Sequence, residues 1–424
     1  MKYFNPANLA IIACPGGEVF ADEVIDHLRH KYRHSRRLIV EEISKKYEMS
    51  ANQASLQIDL INKVVARGSA SQSGMDINGT FKVPVKFTLF PNGEVKSEIE
   101  ESIRGKDVYI FQDVENRYPV KFSGGVVKQL STNDHLLTMF VTIDAVRQAG
   151  AERVALVIPC YPYSRQHKAK GREGLTASRI GKIFEDLGVN HIISLDIHSR
   201  DITNAFNNMR LENLHASYQI INTLLKMDGI LNDDFVVVSP DTGAVDRNKF
   251  YASSLKKPLA LLYKERDYSM LVKDASQSNI SQIRLLGSVR DKTVFMADDM
   301  LGTGSTLIKG MRLLKENGAR KIICAISLPL FSGDAIKYFD DAYSEGLFYR
   351  IIGTNAVYQE DVVNREWYVN VNISRLFAHV ISRLHQNQSV SSLLDNAGII
   401  NRLLSQTMAA EPQNELPFTQ SHDD

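Results

Sequence analysis

The chain has 424 residues, which is longer than a single average domain. Its apolar fraction of 44% is enough for two sizeable cores. Its 50 basic and 49 acidic residues leave a net charge of +1, so no overall field favours nucleic acid or an anionic membrane as a partner. Three widely spaced cysteines, no signal-peptide pattern and no membrane-length apolar run predict a soluble cytoplasmic protein.

The first half of the chain alternates apolar runs with amphipathic stretches. Buried strands are predicted at 9–14, 85–90, 107–111, 154–158 and 192–198, with helices near 41–67, from 133 to 150 and after 176. Residues 27–37 are rich in Arg, Lys and His. We interpret this run as a solvated helix end, not an anion-binding patch, because no aromatic side chains are interleaved with it.

The second half repeats the alternation, with strands predicted at 235–239, 259–263, 292–297 and 322–328. An amphipathic helical end covers 379–404, and the tail from 409 is polar and predicted to be disordered. Strands alternating with helices indicate an α/β fold of mostly parallel sheets flanked by helices. Such sheets bind ligands at the carboxyl ends of their strands. Polar residues fall at those ends: Arg165, His198, Asp241, Lys264 and Asp298.

The stretch 294–306, VFMADDMLGTGST, carries the strongest functional signal. An apolar run ends in Asp298 and Asp299, and a loop of small residues leads into an amphipathic helix. Helix N-terminal amides lack internal partners and the helix dipole favours anions, so this pattern predicts a phosphate site. The adjacent carboxylates suit sugar hydroxyls or a hydrated Mg²⁺. The alternative is a helix-capping turn with incidental acids, but the complete string favours a functional site.

Several ordered motifs together resemble one family. They are FPNGE at 90–94, RGKD at 104–107, TNDH at 132–135, YSRQ at 163–166, LDIH at 195–198, SPDTG at 239–243, KER at 264–266, ADDM at 297–300, FSG at 331–333 and SVSSL at 389–393. The chain resembles the ribose-phosphate diphosphokinases, also called phosphoribosyl pyrophosphate synthetases. The resemblance runs from about residue 8 to residue 395.

The resemblance implies two phosphoribosyltransferase-like domains with the active site between them, assembled as dimers or hexamers. We expect an N-terminal domain at 1–208 with an extended segment at about 38–85, a C-terminal domain at 209–378, a helix at 379–408 packing back on the N-terminal domain, and a disordered tail at 409–424. The implied reaction transfers the β,γ-diphosphoryl group of ATP to the anomeric hydroxyl of ribose 5-phosphate. The products are phosphoribosyl diphosphate and AMP.

The match also implies roles for individual residues. Two carboxylates and a hydroxyl-rich loop would bind ribose 5-phosphate: Asp298, Asp299, Thr303, Gly304, Ser305 and Thr306. A turn and a cationic loop would bind ATP: Phe90, Asn92, Glu94, Arg165 and Gln166. Phe90 and Glu94 match residues that receive adenine from the neighbouring subunit.

The catalytic pair implied by the match is Lys264 and Arg266, which would close over the phosphates from a mobile loop. His198 and Asp241 would hold the Mg²⁺ cofactor, directly or through water. Fixed cations and Mg²⁺ are needed because negative charge grows on the bridging oxygen as the phosphate bond breaks.

Three residues depart from the family pattern. Asn92 and Gly302 each stand where the family usually has an acid, and His167 replaces an acid after the Arg-Gln pair. The retained Lys264 and Arg266 favour an active diphosphokinase. The alternatives are a non-catalytic regulatory paralogue of that enzyme and, with less support, a phosphoribosyltransferase.

Overall fold

The first half of the protein forms one parallel sheet. The structure is a computed structural model that describes residues 6, 8–65, 81–169, 171–227, 234–266 and 280–410, with backbone alone at 61–65, 264–266, 280–282 and 407–410. Its first elements are β1 (Leu9–Ala13), α1 (Glu18–Tyr47), α2 (Ala51–Val65), β2 (Val85–Leu89), β3 (Val95–Ile99), β4 (Asp107–Phe111), β5 (Pro119–Lys121), β6 (Val127–Gln129), α3 (Thr132–Gln148), β7 (Arg153–Val157), α4 (Thr176–Asp186), β8 (His191–Leu195) and β9 (Arg210–Leu214). The sheet order is β1-β4-β7-β8-β9, and every pairing is parallel.

The second half forms a larger sheet. Its elements are α5 (Ser217–Leu225), β10 (Phe235–Ser239), α6 (Val245–Leu255), β11 (Leu259–Arg266), β12 (Ile280–Leu286), β13 (Thr293–Leu301), α7 (Ser305–Glu316), β14 (Lys321–Pro329), α8 (Ala335–Ser344), β15 (Arg350–Thr354), β16 (Tyr368–Val371), α9 (Ser374–His385), α10 (Ser391–Leu394) and α11 (Ala397–Ala410). The order is β12-β11-β10-β13-β14-β15-β16, and only β12 runs antiparallel to its neighbour. The predicted α/β fold with mostly parallel sheets is therefore confirmed.

An apolar layer joins the two halves. It combines residues of α1 and the first sheet with residues of α6, the second sheet and α9. Phe20 of α1 meets Phe377 of α9 edge to face, with ring centroids 5.1 Å apart. Separate apolar clusters cover the outer faces of the two sheets. Aromatic and aliphatic side chains of this size dominate the energetics of such contacts, so the two halves are held in a defined relation.

Several element boundaries differ from expectation. The cation-rich run 27–37 lies inside the 30-residue helix α1, which ends where Glu48 turns into the left-handed region, at φ 51°. β9 pairs with β8 although it lies beyond residue 208, so the first sheet extends past the expected boundary. The helical end consists of α9, α10 and α11, the last continuing to Ala410. Residues 411–424 of the expected tail lie outside the described residues. The division into domains stays a prediction.

α9 begins five residues before the expected position and packs against α1. No helix in the described part of the chain is long and apolar enough to cross a membrane.

Candidate active site

The acidic pair lies at the centre of the second sheet, near the carboxyl end of β13. β13 continues past Ala297, where we expected it to end, because it pairs with β14 as far as Leu301 opposite Pro329. Asp298 and Asp299 are therefore strand residues, and their backbone is more rigid than that of a loop. The Asn248 side chain of α6 accepts from the amide of Ala297 at 2.9 Å and donates to its carbonyl at 2.8 Å. This clamp fixes the backbone immediately before the pair.

The predicted anion loop follows β13 and opens α7. Gly304 caps α7 at φ 72°, and a Cβ there would meet Phe339 Cε2 at 2.3 Å, so both the backbone and the space require glycine. Thr303 and Ser305 are exposed, with their hydroxyls 3.5 Å apart, and Thr306 is half-buried in the first helical turn. The arrangement presents hydroxyls and helix N-terminal amides on one side of the loop, as an anion site requires.

The two carboxylates are in unequal states. Burial raises the pKa of Asp298, and the negative charges of Asp299 and Asp241 raise it further. Burial acts in the same direction on Asp299, but the hydrogen bond from His198 and the positive charge of Arg247 outweigh it and lower its pKa. Asp299 therefore carries the negative charge of the pair, and Asp298 is the group that holds a proton most readily.

His198 comes from the first half of the chain, at the end of β8. Its Nδ1 donates to Asp299 Oδ2 at 2.6 Å, and this hydrogen bond raises the pKa of His198 against the effect of burial. The ring of His167 meets that of His198 edge to face, with centroids 5.0 Å apart. Burial and the neighbouring His198 lower the pKa of His167. One imidazole thus favours the charged form and its neighbour the neutral form.

Arg165 and Gln166 lie on the exposed loop that faces the acidic pair. The hydroxyl of Ser164 lies 3.9 Å from Met300 Sδ, which brings the neighbouring residue Arg165 close to β13. A Cβ added at Gly302 would lie 3.6 Å from Arg165 Nη1, so the guanidinium borders the position where the family usually has an acid. The Gln166 amide donates to the carbonyl of Tyr163 at 2.8 Å, which closes the loop locally.

Two further charged residues of the site were missed by the sequence analysis in this role. Arg247 of α6 forms an ion pair with Asp196 at 3.1 Å, and Asp196 also accepts from His215 and Ser327 at 2.7 and 2.6 Å. Burial lowers the pKa of Arg247, but the carboxylates of Asp196 and Asp299 outweigh it and raise the pKa. A basic residue in the first turn of a helix is unfavourable because the helix dipole is positive there. Such a residue in the sequence indicates that a carboxylate from another segment neutralises it, as Asp196 does for Arg247.

Asp241 lies at the start of the turn between β10 and α6. Its Oδ1 accepts from the amide of Ala244 at 3.0 Å, and its charge reaches Asp298. The structure pairs His198 with Asp299, whereas the charge of Asp241 acts on Asp298. Within the described ranges no group of three or more His, Cys, Asp or Glu is arranged to hold a metal ion by itself.

Lys264 and Arg266 lie in strand β11. The prediction that they belong to a mobile loop is therefore wrong at these two positions. Lys264 is paired with Ile283 of β12, and the ladder is irregular between Glu265 and Arg266. The pairing with β12 extends the strand beyond the predicted end at residue 263. Their side chains lie outside the described atoms, as do residues 267–279.

Phe90, Asn92 and Glu94 form the tip of the β2–β3 hairpin. The Phe90 amide donates to the Glu94 carbonyl at 2.8 Å, and the Glu94 amide donates to Asn92 Oδ1 at 3.2 Å. All three residues are exposed. Among the described residues, no hydrogen bond or ion pair joins this hairpin to the acidic pair of the same chain.

Two family models match the chain. The N-terminal domain of ribose phosphate pyrophosphokinase matches residues 34–188, and the phosphoribosyl transferase domain matches residues 207–357. Ribose-phosphate pyrophosphokinase A of Dictyostelium discoideum is 33% identical over 309 residues, which are 72% of this chain and 88% of the relative. Ribose-phosphate pyrophosphokinase 2 of Enterococcus faecalis is 32% identical over 310 residues, 73% of this chain and 87% of the relative.

The fold also matches a solved structure. Phosphoribosylpyrophosphate synthetase from Mycobacterium smegmatis has a TM-score of 0.64 and 24% identity, covering 90% of this chain and 99% of that one. At this identity the likeness shows the fold alone. The sequence relatives, each more than 30% identical over most of their length, show the family. This chain belongs to the ribose-phosphate pyrophosphokinase family of enzymes.

Proposed function

We propose that the protein transfers the β,γ-diphosphoryl group of ATP to the anomeric hydroxyl of ribose 5-phosphate, giving phosphoribosyl diphosphate and AMP. The observation that carries this proposal is the acidic pair on β13, followed directly by an anion loop and faced by His198 and Arg165 from the other half of the chain. The names of the relatives point to the same reaction.

In this proposal the second sheet supplies the acceptor half of the site. The 5-phosphate binds the amides and hydroxyls of Thr303 to Thr306, where an unneutralised helix N-terminus favours an anion. Asp299, ionised and held by His198, accepts from one ribose hydroxyl. Asp298 accepts from the other. Together these contacts fix the sugar so that its anomeric hydroxyl faces the diphosphoryl donor, which is the positioning that phosphoryl transfer requires.

The donor half would come from the first sheet and from β11. Arg165 binds the ATP phosphates and Gln166 lies beside the adenine. Lys264 and Arg266 offset the charge that develops on the bridging oxygen. The exposed hairpin with Phe90, Asn92 and Glu94 receives the adenine of a neighbouring copy, so the proposed enzyme acts as a dimer or a larger assembly. Asn92 keeps an amide oxygen that can accept from the adenine amino group.

Mg²⁺ is part of the proposal, and the chemistry of the carboxylates fits it. Burial raises the pKa of Asp298, and the negative charges of Asp299 and Asp241 raise it further, so a cation would be favoured beside these oxygens. Mg²⁺ prefers oxygen ligands with several retained waters. His198 and Asp241 would hold the ion directly or through water. His198 would use Nε2, after loss of the proton from that nitrogen, because Nδ1 is bonded to Asp299. When bound, Mg²⁺ would neutralise the phosphates of ATP during transfer.

The test is to mix purified full-length protein with ATP, ribose 5-phosphate and Mg²⁺ and to follow AMP and phosphoribosyl diphosphate. Equal amounts of both products should appear. Absence of both above a protein-free blank overturns the proposal and supports a regulatory paralogue. Release of diphosphate from phosphoribosyl diphosphate, dependent on an added nucleobase, supports a phosphoribosyltransferase instead.

A further inference from the structure

The middle of helix α1 and the side of α9 that faces it line a cationic cavity. The acidic pair is not among the residues that line it. Its volume is about 720 Å³, within the usual range of small-molecule sites. We propose that this cavity is a second ligand site, which binds a small polyanion carrying two or more phosphate groups. It lies outside all residues given a role in the proposed reaction.

Helical spacing produces the cavity's charge. His27, His30, Lys31 and His34 line it from α1, at intervals of three and four residues that place them on one face. The cation-rich run therefore divides into this stripe and other cations, among them Arg33 and Arg37, which do not line the cavity. That division is why the run is not simply a solvated helix end.

α9 contributes a matching stripe. Arg375, His379 and Arg383 follow one another at intervals of four residues and line the same cavity. Arg383 is held in place by donating to the Ser389 carbonyl at 2.9 Å and to Ser392 Oγ at 2.7 Å. Like charges on facing helices repel, so the packing of α1 on α9 brings two cationic stripes together at an electrostatic cost.

Within the described ranges, no acidic side chain forms an ion pair with the three cations of the cavity, Lys31, Arg375 and Arg383. No carboxylate is among the lining residues. The nearest acids are bonded elsewhere. Glu23 accepts from Asn355 and Asn372 at 2.6 and 2.7 Å, and Asp26 pairs with Arg29 at 2.9 Å.

Burial and the positive charges around the cavity lower the pKa values of two of its histidines. Burial lowers the pKa of His379 to about 4, with further lowering by the charges of Lys31 and Arg375. Burial and Arg375 likewise lower the pKa of His27, although Glu23 and Asp26 act in the opposite direction. A bound anion would oppose the effect of these positive charges and so favour protonated His27 and His379 as hydrogen-bond donors.

Charge and size define the class of ligand. Lys31, Arg375 and Arg383 line the cavity together with four imidazoles, whose ring nitrogens can donate hydrogen bonds. A single phosphate would neutralise only part of this set and fill a small part of the volume. Two or more linked phosphate groups can contact both helices at once, and charge-assisted hydrogen bonds of this kind are among the strongest available.

The experiment is calorimetric titration of the full-length protein with inorganic triphosphate in chelator at low salt. Lys31→Gln/Arg375→Gln removes two cavity cations. Arg33→Gln/Arg37→Gln removes two cations from the same helix outside the cavity and is the matched control. Arg165→Gln weakens triphosphate binding at the candidate active site, so that binding there can be told apart from binding in the cavity. His34→Gln changes an exposed cavity residue and guards against misfolding of the double variant.

We expect the wild type and Arg165→Gln to share a binding event that Lys31→Gln/Arg375→Gln weakens at least about tenfold. The control pair should stay within about twofold, and His34→Gln, which removes one possible donor from the cavity, should weaken binding by a smaller factor than the double variant. Turnover without triphosphate should be unchanged in the cavity variants. Equal binding by cavity and control variants, or loss of all binding in Arg165→Gln, overturns the proposal. Neither result depends on which reaction the enzyme catalyses.

Discussion

His198 Nδ1 lies 2.6 Å from Asp299 Oδ2, although 101 positions separate the two residues in the chain. The contact joins the carboxyl end of β8 in the first sheet to the carboxyl end of β13 in the second. Parallel sheets bind ligands at the carboxyl ends of their strands. Here the carboxyl ends of strands from two sheets lie next to each other, so an imidazole from one meets a carboxylate from the other. Although burial opposes it, this bond and the positive charge of Arg247 together lower the pKa of Asp299.

The first prediction concerns that pair. Asp299→Asn removes the charged acceptor and should raise the KM for ribose 5-phosphate about ten- to a hundredfold, the loss of one charge-assisted hydrogen bond of about 1.5–3 kcal/mol. Asp298→Asn should cost less, because Asp298 is the member of the pair with the raised pKa. Steady-state kinetics with each substrate varied in turn measure both effects. Sugar kinetics equal to wild type in Asp299→Asn would refute the assignment.

The second prediction concerns the buried Asp196, which joins the two halves of the chain. Burial raises its pKa, but Arg247 and His215 outweigh burial and lower it. Asp196→Asn leaves Arg247 buried without its carboxylate and should reduce the free energy of unfolding by about 3–5 kcal/mol. Because the folded-state pKa is depressed, this contribution is present at neutral pH and is lost as pH falls towards the folded pKa.

Urea unfolding measures this loss. The matched control is Asp201→Asn, which removes an exposed carboxylate that pairs with Lys168 at 3.4 Å. The control should change stability by less than about 0.5 kcal/mol. Equal losses in the two variants would show that Asp196 does not hold the halves together.

The third prediction compares two glycines of the anion loop. Gly304→Ala places a Cβ 2.3 Å from Phe339 at a positive φ, so α7 must shift and activity should fall with stability. Gly302→Ala places its Cβ 3.6 Å from Arg165, an ordinary contact, and should retain the fold. Thermal unfolding and turnover of the two variants give the comparison. A Gly304→Ala protein as stable and active as Gly302→Ala would contradict the loop geometry.

The fourth prediction concerns pH and His379. Its pKa is depressed to about 4 in the folded protein, against about 6.5 in an unfolded chain. The stability it contributes is therefore present above about pH 6.5 and is lost as pH falls towards 4. After allowance for solvent screening, wild type should lose about 1–3 kcal/mol more than His379→Gln over this range.

The melting temperature of each protein, measured from about pH 7 to about pH 4.5 without polyanions, tests this. His30→Gln, which changes an exposed histidine of the same cavity, serves as the comparison. Parallel curves for wild type and His379→Gln would show that the imidazole titrates normally in the folded protein.

The alternation of apolar runs was enough to predict two mostly parallel sheets, because strand and helix periodicities are local properties. The strand–loop–helix at 294–306 was also predictable, since its turn residues and helix stripe adjoin one another. Strand ends were less predictable. β11 and β13 both continue past their predicted ends because their neighbours in the sheet supply ladder partners.

Local patterns in the chain identify the residue types that can bind a sugar phosphate: two adjacent acids, a small-residue loop and scattered cations in ordered motifs. How these residues combine depends on the tertiary fold. It paired His198 with Asp299, placed Arg247 between Asp196 and the acidic pair, and turned one face of a cation-rich helix towards α9. These relations depend on how two sheets and their covering helices pack, and packing between distant segments leaves no local periodicity in the chain.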